Sequence, residues 1–299
     1  MSPFHVRPFE TARHLAAVLE LVGRSRARRD VGAIAHPGGL QWWLRRIGRP
    51  GFDVAVLIDG ENVAGFALRD RGDVIVQTDG HDERRGDLLS WTEARAVDAG
   101  QPELLVTAAE DDDGLRALLR SRAYELSGRS GYELVRDVTG EPEAAELPPG
   151  FELISLTPAL TDAYIALHRA AWSRPGTPST YERTQHDAVV AMPDFRYDLV
   201  PIVRRSDGEL AAYCISWWDP RSRSLEIEPL GTHPSHRRRG LARAIVREVM
   251  RRAWTLGASY VLVWGTTENP EAKALYESAG MRARRVFRDW RLSFSTAPG

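Results

Sequence analysis

Arg237-Arg238-Arg239-Gly240-Leu241-Ala242 is the stretch that decides the fold of this 299-residue chain. It follows an apolar, strand-like run, Leu225–Gly231, and a His-Pro turn. The apolar residues after it recur at helical spacing, at Leu241, Ile245, Val249 and Trp254. A loop that contains glycine and opens a helix leaves backbone N–H groups unpaired, and the helix dipole adds partial positive charge there. The stretch therefore predicts a phosphate or pyrophosphate site, and the alternative is an ordinary solvated, basic helix start.

A second motif lies downstream, after another strand-like run, Tyr260–Thr266. It reads Asn269-Pro270-Glu271-Ala272-Lys273-Ala274-Leu275-Tyr276-Glu277-Ser278-Ala279-Gly280-Met281. Together with Arg237-x-x-Gly240-x-Ala242, it resembles the GNAT superfamily of acyl-CoA-dependent N-acyltransferases, whose hallmark is R/Q-x-x-G-x-G/A after the fourth strand and N-x-x-A-x-x-L-Y-x-x-x-G-F after the fifth. Met281 stands where phenylalanine is commoner, and Ala272 holds the usual small position. Both motifs in order, with a strand between them, carry a resemblance that covers about the last half of the chain.

Composition narrows the class of protein. The net charge of −1 gives no global field toward nucleic acid or an anionic membrane. The single cysteine, Cys214, excludes an internal disulfide framework and fits a reducing compartment. Residues 1–10 lack the apolar core of a signal peptide, and no apolar run approaches the roughly 20 residues of a membrane helix. We therefore expect a soluble, cytoplasmic protein with neither a nucleic-acid nor a membrane partner.

The order of predicted elements occurs twice. Residues up to Val138 read as β-α-α-β-β-β-α-β-α-β-β, a Pro-, Gly- and Glu-rich linker follows at 139–150, and the order then begins again. The fold class that the resemblance implies is α/β (α+β), with two tandem GNAT folds, each a mixed, mostly antiparallel sheet flanked by helices. The predicted domains are 1–138 and 151–299. We expect a monomer, in which the tandem repeat makes a pseudo-dimer, or a homodimer.

The two copies differ in chemistry. Glu83 stands where Arg237 stands, Leu119 where Tyr276 stands and Asp112 where Asn269 stands, and Asp79, Asp82 and Asp87 crowd the same loop. Carboxylates at this loop repel a pyrophosphate. The first copy is therefore predicted to be degenerate, without cofactor binding and serving as a structural partner. The alternative is a first copy that keeps a ligand pocket for regulation.

The resemblance implies acetyl-CoA as co-substrate, anchored by the loop and by the strand before it. The residues predicted to bind it are Leu230, Gly231, Thr232, Arg237, Arg238, Arg239, Gly240, Leu241, Ala242 and Asn269. A strand N–H near Leu230 polarises the thioester carbonyl, and Gly240 lets the backbone approach the pyrophosphate. Arg238 and Arg239 reach further phosphates or are plain solvated charge. Asn269 is expected to cap the helix that follows, with Pro270 at its first position.

The predicted catalytic residues are Tyr276, Glu226 and Glu228. Tyr276 is the expected general acid for the leaving thiolate, and its alternative is an aromatic core residue. Glu226 and Glu228 are two apart on a strand, so they share one face, and either suits a base acting directly or through water. Their alternative is a solvated strand face. Pro229 between them and Leu230 fits a bulge or a strand edge.

The cysteine and the two histidines near the loop are not predicted to take part in catalysis or metal binding. Cys214 lies inside an apolar strand with no base beside it, so a core role is favoured over a covalent acyl-cysteine route. His233 and His236 flank the loop without the spacing of metal ligands and without other ligand residues around them, so we predict no metal site.

The acceptor side is indicated only by aromatic residues. Trp172, Trp217, Trp218, Asp219 and Trp264 lie in or next to segments that wall the acceptor in GNAT folds, although the tryptophans also fit a core. We predict an N-acetyltransferase that acts on a primary amine of a small molecule through a direct ternary complex. The alternatives are a non-catalytic acyl-CoA-binding or regulatory module, a mycothiol-synthase-like enzyme, and a peptide or protein N-acetyltransferase.

Overall fold

The computed structural model describes residues 4–294, so the outer ends of the predicted domains, residues 1–3 and 295–299, lie outside the described part. The chain forms two compact units, and neither unit is one continuous segment. The first takes in the described residues of Met1–Leu40, Arg46–Tyr132 and Arg285–Gly299, and the second takes in Gln41–Arg45 and Glu133–Arg284. The linker predicted at residues 139–150, between domains 1–138 and 151–299, remains a prediction from composition.

Strands and helices alternate along the described residues. The strands are β1 (Phe4–Pro8), β2 (Phe52–Asp59), β3 (Asn62–Asp70), β4 (Asp73–Thr78), β5 (Glu103–Ala109), β6 (Glu125–Asp137), β7 (Phe151–Ser155), β8 (Pro201–Arg205), β9 (Leu210–Asp219), β10 (Ser224–Thr232), β11 (Tyr260–Thr266) and β12 (Arg282–Ser293). The α-helices are α1 (Thr11–Arg28), α2 (Pro37–Leu44), α3 (Arg85–Asp98), α4 (Asp113–Ser121), α5 (Thr161–Trp172), α6 (Arg183–Val190), α7 (Leu241–Thr255) and α8 (Pro270–Ser278). No helix among these described residues is both long and apolar enough to span a membrane.

The first unit is a mainly antiparallel sheet with helices packed on it. Its strands follow the order β1-β2-β3-β4-β5-β12, and β12 enters this unit from Arg285 onward. The pairing of β4 with β5 is parallel, whereas β1–β2, β2–β3, β3–β4 and β5–β12 are antiparallel. The core buries residues of α3, α4 and the central strands, among them Leu88, Leu119 and Val106.

The second unit repeats this arrangement. Its strands follow the order β11-β10-β9-β8-β7, with β10–β11 parallel and β7–β8, β8–β9 and β9–β10 antiparallel. In both units the parallel pair joins the fourth strand to the fifth, and a capped helix follows. Asp112 caps α4 by accepting from the Leu115 N–H, and Asn269 caps α8 by accepting from the Ala272 N–H. The tandem fold and the mixed, mostly antiparallel sheet expected from the sequence are confirmed.

Helix α7 shows how the apolar period fixes the packing. Leu241, Ile245 and Val249 are buried as their spacing predicts. Trp254 is 42% exposed, so its place in the predicted apolar face was wrong. Ala253 continues the spacing of four and is buried instead, because an α-helix returns to the same face after about 3.6 residues.

Candidate active site

The fourth and fifth strands of the second unit separate within the sheet. β10 pairs with β11 over three residues only, and their register ends at Glu226↔Leu262. On its other side, β10 pairs with β9 along its length, with a register shift between Ile227 and Leu230. Pro229 lies in this shift, as the sequence predicted for a residue without an N–H donor. The strand edge from Ile227 onward is therefore turned away from the ladder with β11.

The loop after β10 ends in a left-handed glycine. Gly240 has φ +81° and occupies the N-cap position of α7 without a side-chain hydrogen bond. A Cβ atom placed on Gly240 would meet no atom within 4 Å, so the space in front of the helix N-terminus is open. Residues 237–240 are exposed, whereas Leu241 is buried. Open space, backbone N–H groups and the helix dipole are the features that favour an anion at such a position.

Arg237 holds this loop in place. Its guanidinium donates to the backbone carbonyl of Ala171 at 3.0 Å and to that of Thr232 at 3.4 Å. The side chain thus connects the end of α5 and the end of β10 to the loop. Arg238 and Arg239 are exposed, and neither makes an ion pair within the described residues. Their charges are available to an anionic ligand, while the charge of Arg237 is directed at backbone carbonyls.

Gly231 has a packing role that its place in the predicted cofactor set did not anticipate. A Cβ atom there would lie 2.6 Å from Cε1 of Tyr213 and 3.0 Å from Cβ of Ala171. A side chain at this position is therefore excluded, since the end of α5 and the ring of Tyr213 pack directly on the strand. Leu230 and Thr232, on either side, are half-buried.

Helix α8 brings Tyr276 to its buried face. Tyr276 is only 7% exposed, so its ring packs as a core residue does. The helix begins where the sequence predicted, with Asn269 as the N-cap and Pro270 in the first turn. Asn269 is exposed, and its side chain caps the helix by accepting from the Ala272 N–H. Its contact with the cofactor stays a prediction.

The two candidate bases have different surroundings. Glu226 lies before the bulge, opposite Trp217 on β9, and is 3% exposed. Glu228 lies within the bulge and is half-buried, and its backbone carbonyl accepts from Nε1 of Trp217 at 2.7 Å. The bulge breaks the simple alternation from which the sequence placed both carboxylates on one face.

Several residues expected on the acceptor side have structural roles. Trp217 is fully buried in the core of the second unit. Asp219 is buried and accepts from the N–H groups of Arg221 and Ser222, so it fixes the turn between β9 and β10. Trp172 is 44% exposed, and its Nε1 donates to the Tyr213 hydroxyl at 2.8 Å. Among these three, only Trp172 presents aromatic surface outward.

Cys214 is a core residue, as expected. It has no exposed surface, and its thiol donates to the carbonyl of Ile215. Burial raises the pKa of the Cys214 thiol well above its ordinary value, and the charge of Glu228 adds to the shift. A thiolate nucleophile is therefore disfavoured at this position.

The corresponding loop of the first unit is occupied by its own side chains. The Arg85 guanidinium is 2% exposed and pairs with Asp112 at 2.8 Å and with Asp82 at 2.8 Å. A Cβ atom on Gly32, between α1 and α2, would clash with Nη2 of Arg85, so this guanidinium packs closely against that segment. Here α3 starts from a right-handed residue, Arg84, instead of a left-handed glycine.

The acidic residues of this loop are neutralised internally. Asp79 pairs with Arg24 at 2.8 Å and with Arg28. Burial alone would raise the pKa of Asp79, but hydrogen bonds from Arg24 and Arg28 outweigh it and hold that pKa below its usual value. The first-unit loop that corresponds to the Gly240 loop is therefore acidic and internally paired, and the degeneracy of the first copy stays a prediction.

Sequence reasoning missed a buried histidine beside these elements in the second unit. His168 on α5 is 5% exposed and stacks on Tyr181 with ring centroids 3.8 Å apart. Burial lowers the pKa of His168 to about 3, and the charges of Arg45 and His186 add to the shift. Only the helical spacing of Tyr164 and His168 hinted at burial, and spacing does not identify partners on other segments.

We expect this histidine to make the protein sensitive to acid. The folded pKa is depressed from 6.5 to about 3, so the stability that neutral His168 contributes is present above pH 6.5 and is lost as pH falls through that window. At pH 5 the loss is about 2 kcal/mol. His168→Phe keeps a stacked ring without the titration. Urea unfolding at pH 7.5 and pH 5 should show a smaller pH effect in this variant than in the parent.

The matched control is His5→Gln, which removes an exposed histidine. It is expected to leave the pH dependence of unfolding unchanged. Equal acid sensitivity in the parent and in His168→Phe would contradict a neutral, buried His168.

Comparisons with known proteins agree with this geometry. Residues 158–281 match the model of the acetyltransferase (GNAT) family. The chain is 28% identical over 278 residues to a protein named mycothiol acetyltransferase from Clavibacter michiganensis, covering 90% of this chain and 88% of that protein. It is 37% identical over 135 residues to another protein of that name from Kineococcus radiotolerans, covering 44% of this chain and 42% of that protein.

Solved structures share the fold over nearly the whole chain. A GCN5-related N-acetyltransferase from Sphaerobacter thermophilus superposes with a TM-score of 0.64 at 18% identity, covering 98% of this chain and 96% of that one. A tandem GNAT protein from the clavulanic acid biosynthesis pathway superposes with a TM-score of 0.65 at 15% identity, covering 99% and 100%. The chain therefore has the fold of tandem GNAT proteins, and residues 158–281, in its second unit, match the acetyltransferase (GNAT) family.

Proposed function

We propose that the second unit transfers an acetyl group from acetyl-CoA to the primary amine of a small molecule, in a direct ternary complex. The observation that carries this proposal is the separation of β10 from β11 immediately before the open, left-handed Gly240 loop. A strand edge free of its neighbour offers backbone groups to an extended ligand arm, and the loop offers N–H groups to a pyrophosphate.

The residues of this site fit acetyl-CoA, which supplies the activated acetyl thioester. Backbone groups of Leu230 to Thr232 would hold the arm, and the loop from Arg237 to Ala242 would hold the pyrophosphate. Arg238 and Arg239 are exposed and add positive charge there. Buried Glu226 is the proposed base for the amine proton, with Glu228 as the second candidate, and the Tyr276 hydroxyl is the proposed proton donor for the leaving sulfur.

The identity of the acceptor amine is a separate proposal. Two relatives carry the name mycothiol acetyltransferase, and one of them aligns with 90% of this chain. We infer that a mycothiol-related amine is the first acceptor to test. Carboxylates at positions 226 and 228 together with the exposed face of Trp172 suit a cationic amine.

A panel of amines tests the proposal. Purified protein, acetyl-CoA and each amine are mixed, and coenzyme A release is followed as free thiol, with the acetylated product identified by mass spectrometry. Release with small-molecule amines is the expected result. Release only with peptides would indicate a peptide or protein acetyltransferase. Acetyl-CoA binding without release from any amine would favour a regulatory module.

One acetyl-CoA per chain is expected, bound by the second unit. Gly240 leaves open space at its loop, whereas the first-unit loop carries carboxylates and its Arg85 is paired with Asp82 and Asp112. Calorimetric titration with acetyl-CoA measures the stoichiometry. Two equivalent sites per chain would contradict the assignment of the first unit as degenerate.

A further inference from the structure

Three metal-ligating side chains meet at the entry to the Gly240 loop, although no metal site was predicted there. His233 caps the one-turn 3-10 helix Pro234–His236 before the loop, His236 ends it, and Glu209 lies in the hairpin turn between β8 and β9. One ligand atom from each of the three lies within 4.8 Å of the others. The sequence did not reveal Glu209 as a partner, because the two strands β9 and β10 separate it from His233 in the chain.

We propose that Glu209, His233 and His236 form a binding site for a divalent transition metal, with Zn²⁺ as the fitting ion. Two imidazoles and one carboxylate are a ligand set that zinc accepts, with a further position left for water or another ligand. Imidazole nitrogen also selects against magnesium and calcium, which prefer all-oxygen sites.

The contact of His233 with the Ser235 hydroxyl is compatible with this site. Nδ1 of His233 lies 2.6 Å from that hydroxyl and can donate its proton to it, which leaves the lone pair on Nε2 for a metal. The 3.3 Å contact of Nδ1 with the Ser235 N–H needs the other tautomer and would be given up when a metal binds. An oriented second nitrogen is the usual companion of a metal-binding histidine.

His236 is a buried imidazole whose ring nitrogens lack good hydrogen-bond partners among the described residues. It is 3% exposed, and neither ring nitrogen makes a hydrogen bond of normal geometry within the described residues. Its Nε2 lies 3.1 Å from Oε2 of Glu209, which is close to the roughly 3.3 Å between two ligands of a tetrahedral zinc ion. Phe151 packs edge-on against this ring at 5.7 Å and shields it from water.

Small side-chain rotations would bring the three ligand atoms around one ion. Glu209 is on an exposed turn and the His233 ring is half-buried, so both can rotate toward an ion. Arg205 competes for the same carboxylate, with its Nη1 at 3.5 Å from Oε2 of Glu209. Its Nε also donates to Asp207 at 2.8 Å, so this guanidinium keeps a partner when an ion displaces it from Glu209.

A metal here would connect the β8–β9 hairpin to the residues that lead into the Gly240 loop. The ion would replace a bare His–Glu contact by bonds to three side chains, so it would stabilise the folded state by mass action. This inference is independent of the acceptor and of acetyl transfer, because metal binding is measured without acetyl-CoA.

The test uses the full chain without a histidine tag, freed of metal by a chelator that is then removed. Calorimetric titration with Zn²⁺ is expected to give one site per chain, and Co²⁺ is expected to give visible d–d absorption with the same stoichiometry. His233→Asn keeps an acceptor for the Ser235 N–H while removing the imidazole, and Glu209→Gln removes the carboxylate. Each is expected to weaken Zn²⁺ binding at least tenfold.

The control is His5→Gln, which removes an exposed histidine outside the cluster and is expected to leave Zn²⁺ binding unchanged. Thermal unfolding follows in parallel, and the rise in Tm with Zn²⁺ should disappear in His233→Asn and Glu209→Gln. No stoichiometric binding by the parent chain would overturn the proposal and leave His236–Glu209 as a simple side-chain contact. Unchanged binding in both variants would equally overturn it.

Discussion

Tyr276→Phe is expected to lower the maximal rate of acetyl transfer by about 100-fold or more while leaving acetyl-CoA affinity nearly unchanged. The ring of Tyr276 is 7% exposed and packs on the buried face of α8, and phenylalanine retains that packing. What the variant loses is the hydroxyl, which we propose as the proton donor to the leaving sulfur. General acid catalysis acts in the transition state, so the loss should appear in kcat and not in cofactor binding.

The rate has to be measured where chemistry limits it. Single-turnover experiments with enzyme in excess over acetyl-CoA meet this condition, and calorimetry gives the affinity. Tyr197→Phe serves as the matched control, because it deletes a hydroxyl from a partly buried tyrosine in the segment before β8. An unchanged single-turnover rate in Tyr276→Phe would remove Tyr276 from the catalytic residues and leave it as a packing residue.

Features set by neighbours in the chain were predictable. The apolar spacing of Leu241, Ile245 and Val249 identified the buried face of α7, and the Asn-Pro pair identified the start of α8. These signals are local, because a helix face and a cap depend on residues within about one turn. The tandem repeat was predictable for a related reason, since the same local signals recur in the same order.

Features set by contacts between distant segments were not predictable. Arg237 donates to the carbonyl of Ala171, 66 positions away, so its place in the motif did not reveal that its guanidinium holds backbone. The residues of β12 from Arg285 onward pair with β5 in the first unit, which no pattern near the C-terminus indicates. His168 is similar, since the ring that stacks on it comes from another segment.

The first-unit loop that corresponds to the Gly240 loop was predictable in part. Its carboxylates were visible in the sequence, and repulsion of a pyrophosphate was the expected consequence. The structure adds that Arg85 turns inward to Asp112, while the neutral cap Asn269 of the second unit offers no such charge. If the first unit does not bind the cofactor, as predicted, a buried ion pair would contribute to the loss as well as repulsion.

Gly240→Glu is expected to abolish most of the stabilisation that acetyl-CoA gives to the protein. At a ligand concentration of 100 times Kd, binding to the native state adds about 2.7 kcal/mol to the free energy of unfolding in the parent. In the variant, a carboxylate at the N-cap of α7 would occupy the open space before the helix and repel the phosphates. The measurement is thermal unfolding with and without saturating acetyl-CoA.

The stability of the ligand-free protein should change less than the stabilisation by acetyl-CoA does. A side chain at φ +81° is strained by about 1–2 kcal/mol, and a negative charge at a helix N-terminus returns about 0.3–1 kcal/mol of it. Gly240→Ala is the matched control, because it carries the same backbone strain without the charge or the bulk. We expect Gly240→Ala to retain much of the acetyl-CoA stabilisation and Gly240→Glu to lose it. If Gly240→Glu keeps the full stabilisation, the loop is not where the pyrophosphate binds, and the proposed site loses its main physical support.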